Sequence, residues 1–348
     1  MSISWGILSK YKNVLYGVSI LWIMLLHGLV RGTHGELDPL IQWLTPILVH
    51  GNCGVDIFLF LSGIFLYFSF KNDYNIKHFY IRRFLRILFP YISIIGLYYG
   101  YINIICEHNV ARFFANITLF SFWFGHVHFV WFIGAILFFY ILYPVIYSVI
   151  YKIKNLSYRL VIVLLLICII YIVLYFLNHG SNLLHVWFNN VEIALTRLPI
   201  FILGCYVGNL VYEDKKISSL FIFITFIGCV IGIFLFYKSY PVVPNYRILY
   251  FFVSPCFTIW AAIIVDVFSN RYVNLAFSKL GMCSLELYLL QMSFQNLTLK
   301  FHFYGQDRIA AYHTYLVYCV LGAIVVAFLI HPLLEEGRKR ILRKIATN

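Results

Sequence analysis

The chain has 348 residues, 62% of them hydrophobic and 11% charged, with a mean hydropathy of +0.87 and a formal net charge of +13. Soluble domains are nearer half apolar and about a quarter charged, so a soluble enzyme or binding module is excluded and length counts membrane helices. Aromatic residues make up 20% of the chain, more than two interfacial belts take up, and the surplus is expected at helix contacts or along an internal cavity.

Ten apolar runs are long enough to cross a bilayer, at 12–30, 48–70, 86–106, 128–151, 160–178, 191–212, 218–237, 248–267, 279–298 and 311–333. The predicted fold class is an all-α integral membrane protein of about ten transmembrane helices. It forms one domain over 1–348, with its core at about 10–335 and a basic tail at 336–348. With the N-terminus inside, nineteen of the 26 lysines and arginines fall on the cytoplasmic side and 7 on the other. That bias is the positive-inside pattern and predicts both termini in the cytoplasm. It also assigns the positive charge to anionic lipid rather than to nucleic acid. The first run lacks a small-residue cleavage site and reads as a span, not a signal peptide. The eight cysteines are scattered one per span without a CxxC, as small buried residues rather than a metal site or disulfide frame.

Span one carries His27 about one turn from its outer end, with Tyr16 and Ser19 further in. Its ring reads either as an interfacial histidine or as a buried base. Span two opens on Gly51-Asn52-Cys53-Gly54 and carries Asp56 and Ser62-Gly63. His27 and Asp56 are expected at similar depth on antiparallel neighbours, where a carboxylate fixes the tautomer of an imidazole acting as general base. The alternative is that Asp56 only favours the positive end of its own helix. Arg82, Arg83 and Arg86, preceded by Lys77 and His78, sit at the cytoplasmic start of span three. They serve either as positive-inside anchors or as a cluster suited to a polyphosphate.

The stretch 113–124 is too short to span and reads as an interfacial or re-entrant piece. Span four begins with His126, His128 and Trp131. Span six holds Glu192 and Arg197 on its outer half, Pro199 just after them, and Gly204 and Gly208 at small-xxx-small spacing. Span nine holds Ser284, Glu286, Tyr288 and Gln291, and Glu286, the deepest carboxylate, requires a partner, a proton or water. Spans three, five and seven, rich in Ile, Leu, Phe and Tyr, read as lipid-facing scaffold.

Four stretches together resemble the acyltransferase 3 family of multi-span membrane enzymes. They are the Gly17-to-His27 block, GVDIFLFLSG (54–63) with RRFLRILFPY (82–91), RLPIFILGCYVG (197–208) and SLELYLLQ (284–291). The resemblance implies a ten-span core that moves an acyl group, usually acetyl, from cytoplasmic acyl-CoA to a hydroxyl of an extracytoplasmic carbohydrate. The setting it implies is the bacterial inner membrane. It implies no permanently bound cofactor and no metal, with acetyl-CoA as co-substrate. His27 matches the family's essential histidine, and Arg82, Arg83 and Arg86 its loop arginines. The chain departs from many members at Tyr16, where they have arginine, at Ile136 and Leu137, where they have a glutamate pair, and at Gln291, where they have histidine.

The mechanism expected is docking of CoA phosphates on the three arginines and proton abstraction by His27, oriented by Asp56. Arg197 or Tyr288 would act at the oxyanion, with Glu286 and Gln291 in the same cavity. A polysaccharide exporter or flippase of the same fold, needing no CoA site, is the alternative. A structural role in a cell-wall synthesis complex is a third reading. Further copies of the chain or polysaccharide-synthesis machinery are the protein partners left open.

Overall fold

The computed structural model describes residues 3–29, 39–125, 127–180, 183–239, 247–303 and 307–347; Arg31 and His126 lie outside them. After the short α1 (Ile7–Lys10) come α2 (Lys12–Leu29), α3 (Pro39–Leu48), α4 (Asn52–Asn72) and α5 (Ile76–Tyr99), which runs on as a π-helix over Gly100–Cys106. The stretch 113–124 falls on two short helices, α6 (Val110–Ile117) and α7 (Phe120–Phe124), parted at Leu119, whose φ of 64° ends the first. Then follow α8 (Trp131–Tyr151), α9 (Leu156–His179), α10 (Leu183–Leu195), α11 (Leu198–Tyr212), α12 (Ser219–Ser239) and α13 (Ile248–Val267). The chain closes with α14 (Arg271–Met282), α15 (Ser284–Lys300), α16 (Arg308–Tyr315), a π-helical turn over Leu316–Leu321, and α17 (Gly322–Thr347). Among the described residues the β structure is one isolated bridge, Ser4 to Lys216.

Among the described residues, nine of these helices or continuous helix runs are long and apolar enough to cross a membrane, and ten if α14 and α15, bent 68° at their junction, count as one broken span. Nine of the ten predicted runs fall on these helices, and the remaining one, 279–298, straddles the bent pair. Asparagines set several starts: the side chains of Asn75, Asn155 and Asn270 each accept a backbone N–H of the first turn, satisfying donors that a helix start leaves without partners.

Glycines bring the central helices together. A Cβ on Gly204 of α11 would strike the Phe60 carbonyl of α4, and one on Gly63 of α4 would strike the Phe201 carbonyl of α11. The small-residue face predicted on span six is thus the seam with span two. Gly17 of α2 meets the Phe277 carbonyl of α14, and Gly281 of α14 meets the Asn13 carbonyl of α2. The α2–α14 seam takes the chain up to Met282, so a straight span over 279–298 is replaced by a break at Cys283. The start of α15 is left pointing into the bundle.

Helices α9 and α12 lie outermost, with 17% and 22% of their apolar windows buried, as lipid-facing scaffold requires. Span three differs: α5 turns Arg83, Arg86, Ile87 and Pro90 inward, and it begins at Ile76, so the arginines belong to its first turns. The predicted basic tail differs too, because α17 continues unbroken through 336–347.

Candidate functional site

Helices α2, α4, α5, α8, α14, α15 and α17 line a cavity of about 340 Å³, within the range that holds small-molecule ligands. Its two ends are chemically distinct. At one end Lys12 from α2, Arg83 and Arg86 from α5 and Arg338 from α17 meet Glu335. Arg338 donates to Glu335 at 2.6 Å, Lys12 lies over the Phe65 ring at 4.2 Å, and Arg86 is exposed, marking the mouth. The Nε atoms of Arg83 and Arg338 are buried without a hydrogen-bond partner, donors that a ligand can take up. The N-terminus of α15, through Ser284, Leu285 and Glu286, faces the same space. Its N–H groups, the positive end of the helix dipole, add to the attraction for an anion.

At the other end lie His27, Asn52, Trp131 and Phe132. The tautomer of His27 follows from its neighbours. The Tyr315 hydroxyl donates its hydrogen to the Met24 carbonyl at 2.6 Å, so it accepts from Gln291 Nε2 at 2.9 Å. Gln291 Nε2 also donates to Gln295 at 2.7 Å. Gln291 Oε1 therefore faces His27 and accepts from Nδ1–H at 3.3 Å, which makes Nε2 the nitrogen with the lone pair. Gln291 is fully buried and acts on the cavity through His27.

Asp56 does not hold His27. Close approach of Gly51 to the Trp22 carbonyl and of Gly54 to the Ser19 carbonyl sets the register of α2 against α4. That register brings Asp56 level with Gly17, about 15 Å along the axis from His27. Asp56 instead faces Arg197 Nε at 3.6 Å, with both side chains essentially inaccessible. Arg197 does not reach the cavity as an oxyanion donor. It donates to the Ile193 carbonyl at 2.5 Å and lies 4.6 Å over the ring of Trp131, backing an aromatic wall that does line the cavity. Glu192, expected near it, pairs with Arg247 at 2.8 Å.

Arg82 is likewise diverted, donating to Asp73 at 2.6 Å. That contact, with the Asn75 amide, holds the Asp73 carboxyl below its usual range. Of the three loop arginines, Arg83 and Arg86 line the cavity. Glu286 is not an oxyanion group: it pairs with His331 of α17, Nδ1 to Oε1 2.9 Å. The hydroxyl of Tyr288 is buried on the cavity wall beside the Phe132 backbone, with no acceptor for its own hydrogen, which can be donated to a ligand oxygen. Tyr16 lines the cavity between the two ends, stacked on Phe58 at 5.0 Å, and Ile136 lies opposite it on the α8 wall. His331, Glu335, Arg338, Gln295 and Tyr315 were not foreseen from the sequence.

A bundle of apolar helices long enough to span a membrane, around a cavity with a guanidinium-rich mouth and an imidazole further in, defines a multi-pass membrane protein with an internal cavity. The family model described as an acyltransferase domain matches residues 10–331, nearly the whole chain. The chain belongs to the acyltransferase 3 family, and is a membrane acyltransferase. No curated protein and no solved structure matches it.

Proposed function

We propose that the protein transfers an acetyl group from cytoplasmic acetyl-CoA to a hydroxyl of an extracytoplasmic carbohydrate, a surface polysaccharide or cell-wall glycan, across a bacterial inner membrane. The observation that carries this reading is the continuity of the cavity from Arg83 and Arg86 to His27. Lys12 and His27, both on its wall, stand fifteen residues apart on one helix, about 22 Å, the scale of an extended phosphopantetheine arm. The diphosphate and 3′-phosphate of CoA meet Arg83, Arg86, Arg338 and Lys12 at the mouth. The thioester then lies among the apolar and aromatic side chains further in.

At the far end His27, with Nδ1–H held by Gln291, takes the acceptor hydroxyl proton on Nε2 as the oxygen attacks the thioester carbonyl. The Tyr288 hydroxyl donates to the developing oxyanion. Trp131, backed by Arg197, offers the aromatic face against which a pyranose ring packs.

The test uses membranes of a producing strain deleted for the chromosomal copy, which bring their own acceptor, complemented with wild type or His27→Ala. Radiolabelled acetyl-CoA is expected to label the glycan with wild type. His27→Ala is expected to lose on the order of 10²-fold or more while still binding CoA. Near wild-type labelling by His27→Ala contradicts the reading.

A further inference from the structure

The cavity holds two imidazoles. His27 is fixed by a neutral amide, Gln291, at 3.3 Å, whereas His331 is fixed by a carboxylate, Glu286, at 2.9 Å. Resting on the acetyl-CoA reading above, we propose that His331, held by Glu286, is the general acid that protonates the departing CoA thiolate, so that transfer runs between a base and an acid on opposite sides of the thioester.

The partners separate the two roles. The Glu286 side chain is 5% exposed and faces His331 Nδ1 at 2.9 Å, a carboxylate–imidazole pair suited to passing a proton through Nε2. Gln291 is a neutral amide, and a neutral His27 whose Nδ1–H it accepts has its lone pair on Nε2. The other charged groups beside His331 are Glu335 and Arg338 on its own helix, joined to each other at 2.6 Å, and Arg86 of α5 on the same wall.

Spacing fits as well. His27 and His331 line the same cavity, and their partners Gln291 and Glu286 are five residues apart on α15, about 7.5 Å along the axis and about 140° around it, so the two rings are held from different sides of that helix. Tyr288, between those two positions in sequence, carries a buried hydroxyl whose hydrogen has no acceptor and that meets the carbonyl oxygen. The step balances. The hydroxyl proton passes to His27, the O–C bond forms, the C–S bond breaks with its electron pair going to sulfur, and sulfur takes the proton of His331. Proton exchange with solvent, from a His331 side chain 19% exposed near the mouth, returns both rings to their starting states.

The test compares acetyl-CoA with its selenoester analogue, whose selenolate is a weak base that leaves without a proton, in the membranes described above. His331→Gln is expected to lower kcat with acetyl-CoA by about 10²-fold and with the selenoester by less than about threefold. CoA affinity should be unchanged. Glu286→Gln is expected to show the same pattern with a smaller loss. Equal losses with both donors, or none with acetyl-CoA, overturn the general-acid role. Failure of wild type to transfer from either donor overturns the acetyl-CoA reading instead.

Discussion

The two adjacent arginines of α5 give the sharpest quantitative contrast. Arg83 lines the cavity and its Nε is buried without a partner, whereas Arg82 is committed to Asp73 at 2.6 Å with side chains 37% and 32% exposed. A hydrogen bond to a charged group is worth about 1.5–3 kcal/mol, and each 1.4 kcal/mol is tenfold in affinity. Arg83→Ala is therefore expected to weaken CoA binding by roughly 10- to 150-fold. The exposed Arg82 is engaged by Asp73 and not by the ligand, so Arg82→Ala is expected to bind CoA within about threefold of wild type. The assay is equilibrium binding of tritiated CoA to detergent-purified protein, which requires no acceptor. Equal weakening by the two substitutions would refute the assignment of the phosphate site to the cavity face of α5.

Arg197→Met leaves Asp56 buried without its cation and is expected to cost about 3–5 kcal/mol. The apparent Tm in detergent should fall by roughly 5 °C or more, and Asp56→Leu/Arg197→Met together should recover much of the loss. Gly204→Val drives a branched side chain into the Phe60 carbonyl and is expected to lose at least about 1–3 kcal/mol. Gly100→Ala, with nothing within 4 Å of the added carbon, should stay within about 0.5 kcal/mol of wild type, both read by thermal unfolding. Because the Arg82 contact depresses the Asp73 carboxyl, its contribution is present above the ordinary aspartate range and lost as pH falls below it. The Tm difference between wild type and Asp73→Asn should therefore shrink as pH drops through about 4.

Span positions were legible in the sequence because lipid imposes length and apolarity on each helix separately. The placement of polar groups was legible only in part. Arg82, Arg83 and Arg86 occupy one side of a helix, with Arg86 between the other two around the axis, so spacing alone does not say which reach the cavity. That is decided by Asp73, which captures Arg82. Asp56 and His27 share an antiparallel helix pair, but glycine contacts at 51 and 54 set a register that separates them. The partner of Glu286 lies 45 residues on, in a helix expected to stop at 333, and no local pattern announces such a pairing. The break at Cys283 has no proline to mark it. It arises from the tight α2–α14 contact through Gly17 and Gly281, a tertiary constraint.

The account turns on the cavity carrying a thioester from the guanidinium mouth to the imidazole of His27. A structure of the protein with a non-reactive thioether analogue of acetyl-CoA tests that most directly. The account predicts phosphates on Arg83, Arg86 and Arg338, the pantetheine arm passing Tyr16, and the acyl carbon between His27 and His331. Binding of the analogue anywhere outside this cavity, or with its acyl end at the arginines, would contradict it.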